Sequence, residues 1–146
     1  GLRRLVPPLP QNGRHRGAGP LLRIGVQSNA EVTLGDAGHL VTQAFCSALP
    51  VAYTNGVPQA RLEPLARMIL NASYSATLAA ARTNLHKTGN PVVYLTLIGG
   101  GVFGNPTSWI LDALAATLTE HHDAARDVRI VSFRRPNRDL APLLTS

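Results

Sequence analysis

The chain has 146 residues, of which 45% are hydrophobic and 15% are charged. This length fits one domain, and the apolar content is enough for a core, which excludes a disordered or fibrous chain. The formal net charge is +6, and the basic excess is arginine, because Lys87 is the single lysine.

Residues 1–20 hold four prolines and four glycines among arginines, which predicts a flexible arm or linker. The arginine clusters are Arg3, Arg4, Arg14 and Arg16 at the start, and Arg134, Arg135 and Arg138 near the end. They indicate either attraction to phosphate or two solvated tails. No aromatic side chain interleaves with either cluster, so nucleic-acid binding is the least favoured function.

Two strands are predicted before the first helix. Residues 21–26 form a short apolar run typical of a strand, and the polar residues 27–36 predict a loop at its end. Residues 41–49 predict a second strand, which Pro50 ends because proline cannot donate to a ladder. Residues 53–59 contain Asn-Gly and a proline, which indicates a turn.

Residues 62–85 predict a long helix, with Glu63 and Pro64 in its first turn and Gly89-Asn90-Pro91 as its stop. Its predicted inner stripe has the spacing of one helical face. The stripe consists of Leu65, Met68, Ile69, Ala72, Ala76, Ala79 and Ala80.

The second half of the chain alternates strand and helix. Residues 92–98 are nearly all apolar, which predicts a strand covered on both faces, as in a parallel sheet. A glycine-rich segment follows, then a helix from Pro106 or Thr107 to about His121, and a last strand over residues 128–133. This order predicts an α/β fold, a three-layer α/β/α sandwich.

The strongest functional signal is the glycine loop, residues 99–105 (GGGVFGN), between the buried strand and the second helix. Glycines let the backbone approach a ligand closely, and successive N–H groups form a nest for an anion. Ligands of open α/β sheets bind at the carboxyl ends of strands. The alternative is a plain tight turn, although four glycines in six residues exceed what such a turn needs. The pattern is neither GxGxxG nor a P-loop.

Gly101-Val102-Phe103-Gly104 resembles the phosphate loop of macrodomains. The segments VTQAFCSALPVAY, ARMILNASYSATLAAA and YLTLIGGGVFGN together resemble divergent macrodomains of the MavL type, implicated in removing ADP-ribose from modified protein. The resemblance spans residues 21–133 and implies the second half of a macrodomain-like sandwich. We therefore expect an arm over 1–20, an α/β domain over 21–135 and a tail over 136–146.

The resemblance implies that the loop wraps the diphosphate and distal ribose of ADP-ribose. Phe103 is expected near that ribose, and Asn105 either bonds a ribose hydroxyl or caps the helix. Ser47, at the end of the second predicted strand, is a further candidate contact. The predicted ligand-binding set is Gly99, Gly100, Gly101, Val102, Phe103, Gly104, Asn105 and Ser47.

Glu31 is the candidate catalytic carboxylate, with Gln27 or Asn29 holding the sugar, because ribosyl hydrolysis needs a positioned water and a stabilised oxocarbenium-like transition state. The alternative for Glu31 is a solvated loop glutamate. Cys46 is interpreted as structural, since no histidine base accompanies it. No metal site and no cofactor are predicted, because the histidines lack further ligands.

Three functions stay open: an ADP-ribosyl hydrolase, a non-catalytic ADP-ribose-binding module, and an inactive fragment that associates with a partner or with itself through an uncovered sheet edge. The predicted partner is ADP-ribose or ADP-ribosylated protein. No apolar run reaches the roughly 18–20 residues of a membrane span, so the expected location is cytoplasmic or that of a delivered effector.

Overall fold

The computed structural model describes residues 22–35, 38–124, 127–132 and 138–143. These form an α/β structure, which confirms the predicted class at that level. The strands are β1 (Gly25–Glu31), β2 (Leu40–Phe45), β3 (Val92–Thr96) and β4 (Asp127–Val131), and the helices are α1 (Gln59–Thr88) and α2 (Thr107–Glu120). Three short 3-10 turns cover Val51–Tyr53, Gly101–Phe103 and Arg138–Leu143. The predicted arm and the arginines at 134 and 135 lie outside the described residues.

The first two strands form an antiparallel hairpin that runs from the pair Gly25–Phe45 to the pair Glu31–Leu40. The ladder is irregular between Gln27 and Ala30, where Asn29 has a positive φ of 57°. The prediction of a loop from residue 27 onward is therefore wrong as far as Glu31. Nearly every side chain of β1 is exposed, so the strand carries no alternation of apolar and polar residues that the sequence could reveal.

The second strand ends at Phe45, four residues before the predicted end. The segment after it leaves the ladder and packs against α1, where Ser73 Oγ donates to the carbonyl of Ser47 at 3.1 Å. Ala48 is buried at the start of the core. Residues 46–50 thus connect the hairpin to the core.

The long helix is confirmed, but it begins at Gln59, so Glu63 and Pro64 lie beyond its first turn. It ends at Gly89, whose φ is +73° and whose N–H donates to the Leu85 carbonyl at 2.8 Å. Of the predicted inner stripe only Ala72 is buried, Leu65 is exposed, and the other five residues are half-buried. The buried positions are Ala66, Leu70, Ala72, Ser73, Tyr74 and Leu78. Ser73 and Tyr74 are buried with hydrogen bonds to the backbone, which a purely apolar pattern does not detect.

The strands β3 and β4 are parallel, paired from Val92–Asp127 to Thr96–Val131. Leu95, Val128 and Ile130 point into the core with both helices. On the opposite face Tyr94 is 56% exposed. The prediction that this strand is covered on both faces is therefore wrong for the described part of the chain.

The core is built from α1, α2, β3, β4 and the short segments that join them. Leu140 is 4% exposed and belongs to this core, although the sequence assigned it to a tail. None of the described residues before Ala48 is buried. The described strands form two separate two-stranded sheets. No described helix is long and apolar enough to cross a membrane.

Candidate functional site

Tyr74 on α1 fixes the point where β3 turns into the glycine loop. Its hydroxyl donates to the Thr96 carbonyl at 2.8 Å and accepts from the N–H of Ile98 at 3.1 Å. Burial raises the pKa of Tyr74 above its ordinary value, because the phenolate would lose its hydration. The neutral hydroxyl therefore bridges the helix and the beginning of the loop.

Gly99 occupies a position that excludes a side chain. Its φ is +79°, in the left-handed region that favours glycine. A Cβ at this position would overlap the Cβ of Ala48 and lie 2.8 Å from Nδ2 of Asn105. This glycine therefore serves close packing against the segment after β2.

Gly104 and Gly101 differ in the space around them. At Gly104, with φ +70°, a Cβ would lie 2.8 Å from the Cβ of Ala52. At Gly101, with φ +61°, a Cβ would meet no atom within 4 Å. Packing accounts for Gly99 and Gly104, whereas Gly101 faces open space.

The loop amides divide into paired and unpaired groups. The N–H of Gly100 donates to the Leu97 carbonyl at 3.4 Å. Two further amides bond within the loop: the N–H of Gly104 donates to the Gly101 carbonyl, and that of Asn105 to the Gly99 carbonyl, both at 3.0 Å. Within the described part of the chain, the N–H groups of Gly101 and Val102 have no acceptor, whereas the 3-10 turn directs the Phe103 N–H toward the Gly100 carbonyl. Gly101 and Val102 are consecutive, and both residues are exposed. They provide two adjacent hydrogen-bond donors.

Asn105 does not cap α2, and its predicted bond to a ribose hydroxyl stays a prediction. Its Nδ2 donates to the carbonyls of Leu49 at 2.8 Å and Gly99 at 3.0 Å, and the residue is buried. The N-terminal cap of α2 is Pro106, with no side-chain hydrogen bond. Asn105 therefore clamps the loop to the segment after β2. Its Oδ1 is buried without a described partner.

An aromatic pair lies beside the unpaired amides. The rings of Tyr53 and Phe103 meet edge to face, with centroids 6.2 Å apart. Tyr53 is 62% exposed, so most of its surface is open to a ligand. Sequence reasoning missed Tyr53 and Tyr74. Both lie outside the loop motif, and Tyr53 was interpreted only as the start of a turn.

The structure does not bring Gln27 and Glu31 to the glycine loop. Both side chains are exposed, and Glu31 pairs with Leu40 at the far end of the hairpin. Leu40 is five residues from Phe45, or roughly 17 Å of strand, and the chain continues beyond Phe45 to Ala48, which touches Gly99. Ser47 is next to Ala48, but its hydroxyl bonds the Ala48 carbonyl at 3.3 Å.

Cys46 is half-buried, and its sulfur lies 3.8 Å from Thr77 Oγ1. Among the described residues no group of three or more histidine, cysteine or acidic side chains could hold a metal ion. The site therefore rests on backbone donors and aromatic rings.

No protein-family model, curated protein or solved structure matches this chain. The macrodomain resemblance stays a prediction.

Proposed function

We propose that this chain is a non-catalytic module that binds the diphosphate of an ADP-ribose-type ligand at the glycine loop. The observation that carries the proposal is the pair of adjacent N–H groups at Gly101 and Val102, which have no acceptor among the described residues. Two such donors suit the oxygens of a diphosphate, because each N–H donates one bond and the space beside Gly101 is open.

The position of the loop supports the same proposal. It follows the carboxyl end of β3 and precedes α2, whose N-terminal dipole favours an anion. Tyr74 and Asn105 hold the two ends of the loop through hydrogen bonds to the core. A loop held in this way loses little conformational entropy when a ligand binds.

The aromatic pair supports a nucleotide rather than a bare phosphate. The exposed ring of Tyr53 lies against Phe103, next to the two donors. A ribose or adenine packed on Tyr53 would leave the diphosphate over the loop. A sugar and a base would therefore add contacts that pyrophosphate lacks.

The proposal favours binding over hydrolysis because the candidate catalytic residues lie away from the loop. Glu31 lies at the end of the hairpin opposite the Gly25–Phe45 pair, and Gln27 is exposed in the middle of β1. Among the described residues, no hydrogen bond joins either side chain to the loop. In this proposal the chain is the second half of a macrodomain-like three-layer sandwich, and its missing layer would cover Tyr94.

The test is calorimetric titration with ADP-ribose, AMP, NAD and pyrophosphate. ADP-ribose is expected to bind more tightly than pyrophosphate or AMP. Gly101→Glu places bulk and negative charge beside the donors and is expected to abolish binding.

Gly35→Glu is the matched control, because Gly35 has a similar φ of +69° and no neighbour within 4 Å. Full affinity in Gly101→Glu would overturn the proposal, as would equal loss in both variants. Release of ADP-ribose from modified protein by the wild-type chain would contradict the non-catalytic assignment.

A second candidate function is that of a subunit completed by another chain. The exposed face of the parallel pair favours it, because parallel sheets are usually covered on both sides. Light scattering over a range of concentrations tests it: a rise in mass that Tyr94→Glu removes supports association, and a constant monomer mass excludes self-association.

A further inference from the structure

A groove lies between the hairpin and the second half of α1, away from the glycine loop. Its volume is about 240 Å³, and its walls come from both elements. The lining residues are Val26, Ser28, Thr42, Ala80, Thr83, Asn84 and Lys87. Lys87 is thirteen residues from Tyr74 along α1, or roughly 20 Å of helix, so this groove is independent of the proposed diphosphate site.

The groove has this shape because the hairpin is tied to α1 at separate points. Thr42 Oγ1 donates to Asn84 Oδ1 at 2.8 Å, and Cys46 contacts Thr77 nearer the core. The helical wall is one face, since positions 80, 83, 84 and 87 follow the spacing i, i+3, i+4 and i+7. Val26 is still 49% exposed, so the hairpin does not close over this face.

The polar groups of the groove are mostly donors without partners. The bond from Thr42 occupies Asn84 Oδ1 and so fixes the orientation of the amide, whose Nδ2 has no acceptor among the described residues. The Ser28 hydroxyl and the Lys87 ammonium also make no hydrogen bond or ion pair within the described part. No carboxylate is among the lining residues.

The single positive charge of the groove favours an anion with one negative charge over an anion with two. Lys87 supplies one positive charge in the last turn of α1, where the helix dipole is negative. A phosphate dianion would exceed that single charge, whereas one carboxylate balances it. Val26 and Ala80 add an apolar wall for a short carbon chain.

We propose that this groove binds a small monocarboxylate, with its carboxylate on Lys87 and Asn84 and its carbon chain against Val26 and Ala80. The Ser28 hydroxyl donates a further hydrogen bond. A groove of about 240 Å³ has room for an acid of a few carbon atoms.

The experiment is an amide NMR titration of the full chain with pentanoate, with 1-pentanol and inorganic phosphate as parallel arms. Pentanoate is expected to give saturable shifts at Ser28, Thr42 and Asn84, with a dissociation constant in the millimolar range. Lys87→Met keeps the length of the side chain and is expected to weaken binding at least tenfold. Asn84→Ala is expected to weaken it less.

Arg82→Met is the matched control, because Arg82 is on the same helix and pairs with Asp123 outside the groove. Its affinity for pentanoate is expected to be unchanged. Any of four results would overturn the proposal: no saturation with pentanoate, equal affinity for pentanol, tighter binding of phosphate, or equal effects of Lys87→Met and Arg82→Met.

Discussion

The glycine loop and the β1–β2 hairpin are held in place by different forces. The loop packs against the core: Gly99 touches the buried Ala48, and the buried Tyr74 hydrogen-bonds to the Thr96 carbonyl and the Ile98 N–H. Gly104 also approaches Ala52. The hairpin has no buried residue. It is tied to α1 by isolated polar contacts such as Thr42 to Asn84.

This difference indicates which segment of the chain is rigid and which can open locally. A segment that packs on the core opens only when the core opens, whereas a segment held by a few polar contacts opens locally. The loop is therefore suited to present a fixed pair of donors. The hairpin is suited to move over the groove beside Lys87.

The largest expected effect separates the two kinds of loop glycine. Gly99→Ala is expected to cost roughly 3–4 kcal/mol, because the left-handed backbone and the overlap with Ala48 both oppose a Cβ. Gly101→Ala is expected to cost only about 1 kcal/mol, because its φ is similar but the space is open. Urea unfolding of both variants gives the comparison.

Equal losses in the free energy of unfolding at the two positions would show that backbone conformation alone determines the effect of the added Cβ. The contact between Gly99 and Ala48 would then contribute nothing to that loss.

The next effect concerns Tyr74. Tyr74→Phe keeps the ring but removes the hydroxyl, while the Ile98 N–H still donates to the Thr96 carbonyl at 3.0 Å. We expect a loss of about 1–2 kcal/mol in the free energy of unfolding, measured by urea denaturation. Tyr94→Phe, on the exposed face of β3, serves as control and is expected to change stability by less than about 0.5 kcal/mol.

The raised pKa of Tyr74 also predicts a pH dependence. The unfolded chain loses this proton near pH 10 while the folded chain keeps it, so the stabilisation is complete below pH 10 and falls as pH rises. Between pH 9 and pH 11 the wild type is expected to lose about 1.4 kcal/mol more than Tyr74→Phe. Parallel losses in the two proteins would contradict a buried neutral phenol.

The smallest effect tests the hairpin. Thr42→Val removes the bond to Asn84 and is expected to lower the local opening free energy by about 0.5–1 kcal/mol. Hydrogen exchange should be faster at the amides of β1 and β2 and unchanged in β3. Thr83→Val is the control, because Thr83 Oγ1 bonds only within α1. Faster exchange in β3 would mean that the hairpin and the core open together.

The sequence predicted those parts of the fold in which local chemistry decides the structure. The glycine loop, the stop at Gly89 and the strand before the loop are all marked by residues with strong backbone preferences. The extent of β1 was not predictable, because a strand exposed on both faces lacks a periodic pattern.

Of the candidate site, only the glycine loop was predictable from the sequence. Tyr74, like Ser73, is a polar side chain on the buried face of α1, and its partners at Thr96 and Ile98 are more than twenty residues away. Tyr53 meets Phe103 only after the chain has folded back through α1. Contacts at such separation depend on tertiary packing, which one sequence does not reveal.

The most direct test of the proposed diphosphate site is amide NMR of the wild-type chain during titration with ADP-ribose. We expect the largest saturable shifts at Gly101, Val102 and Phe103, with small shifts at Gln27 and Glu31. Shifts that concentrate on the hairpin, or no saturable shift at residues 101–103, would contradict it.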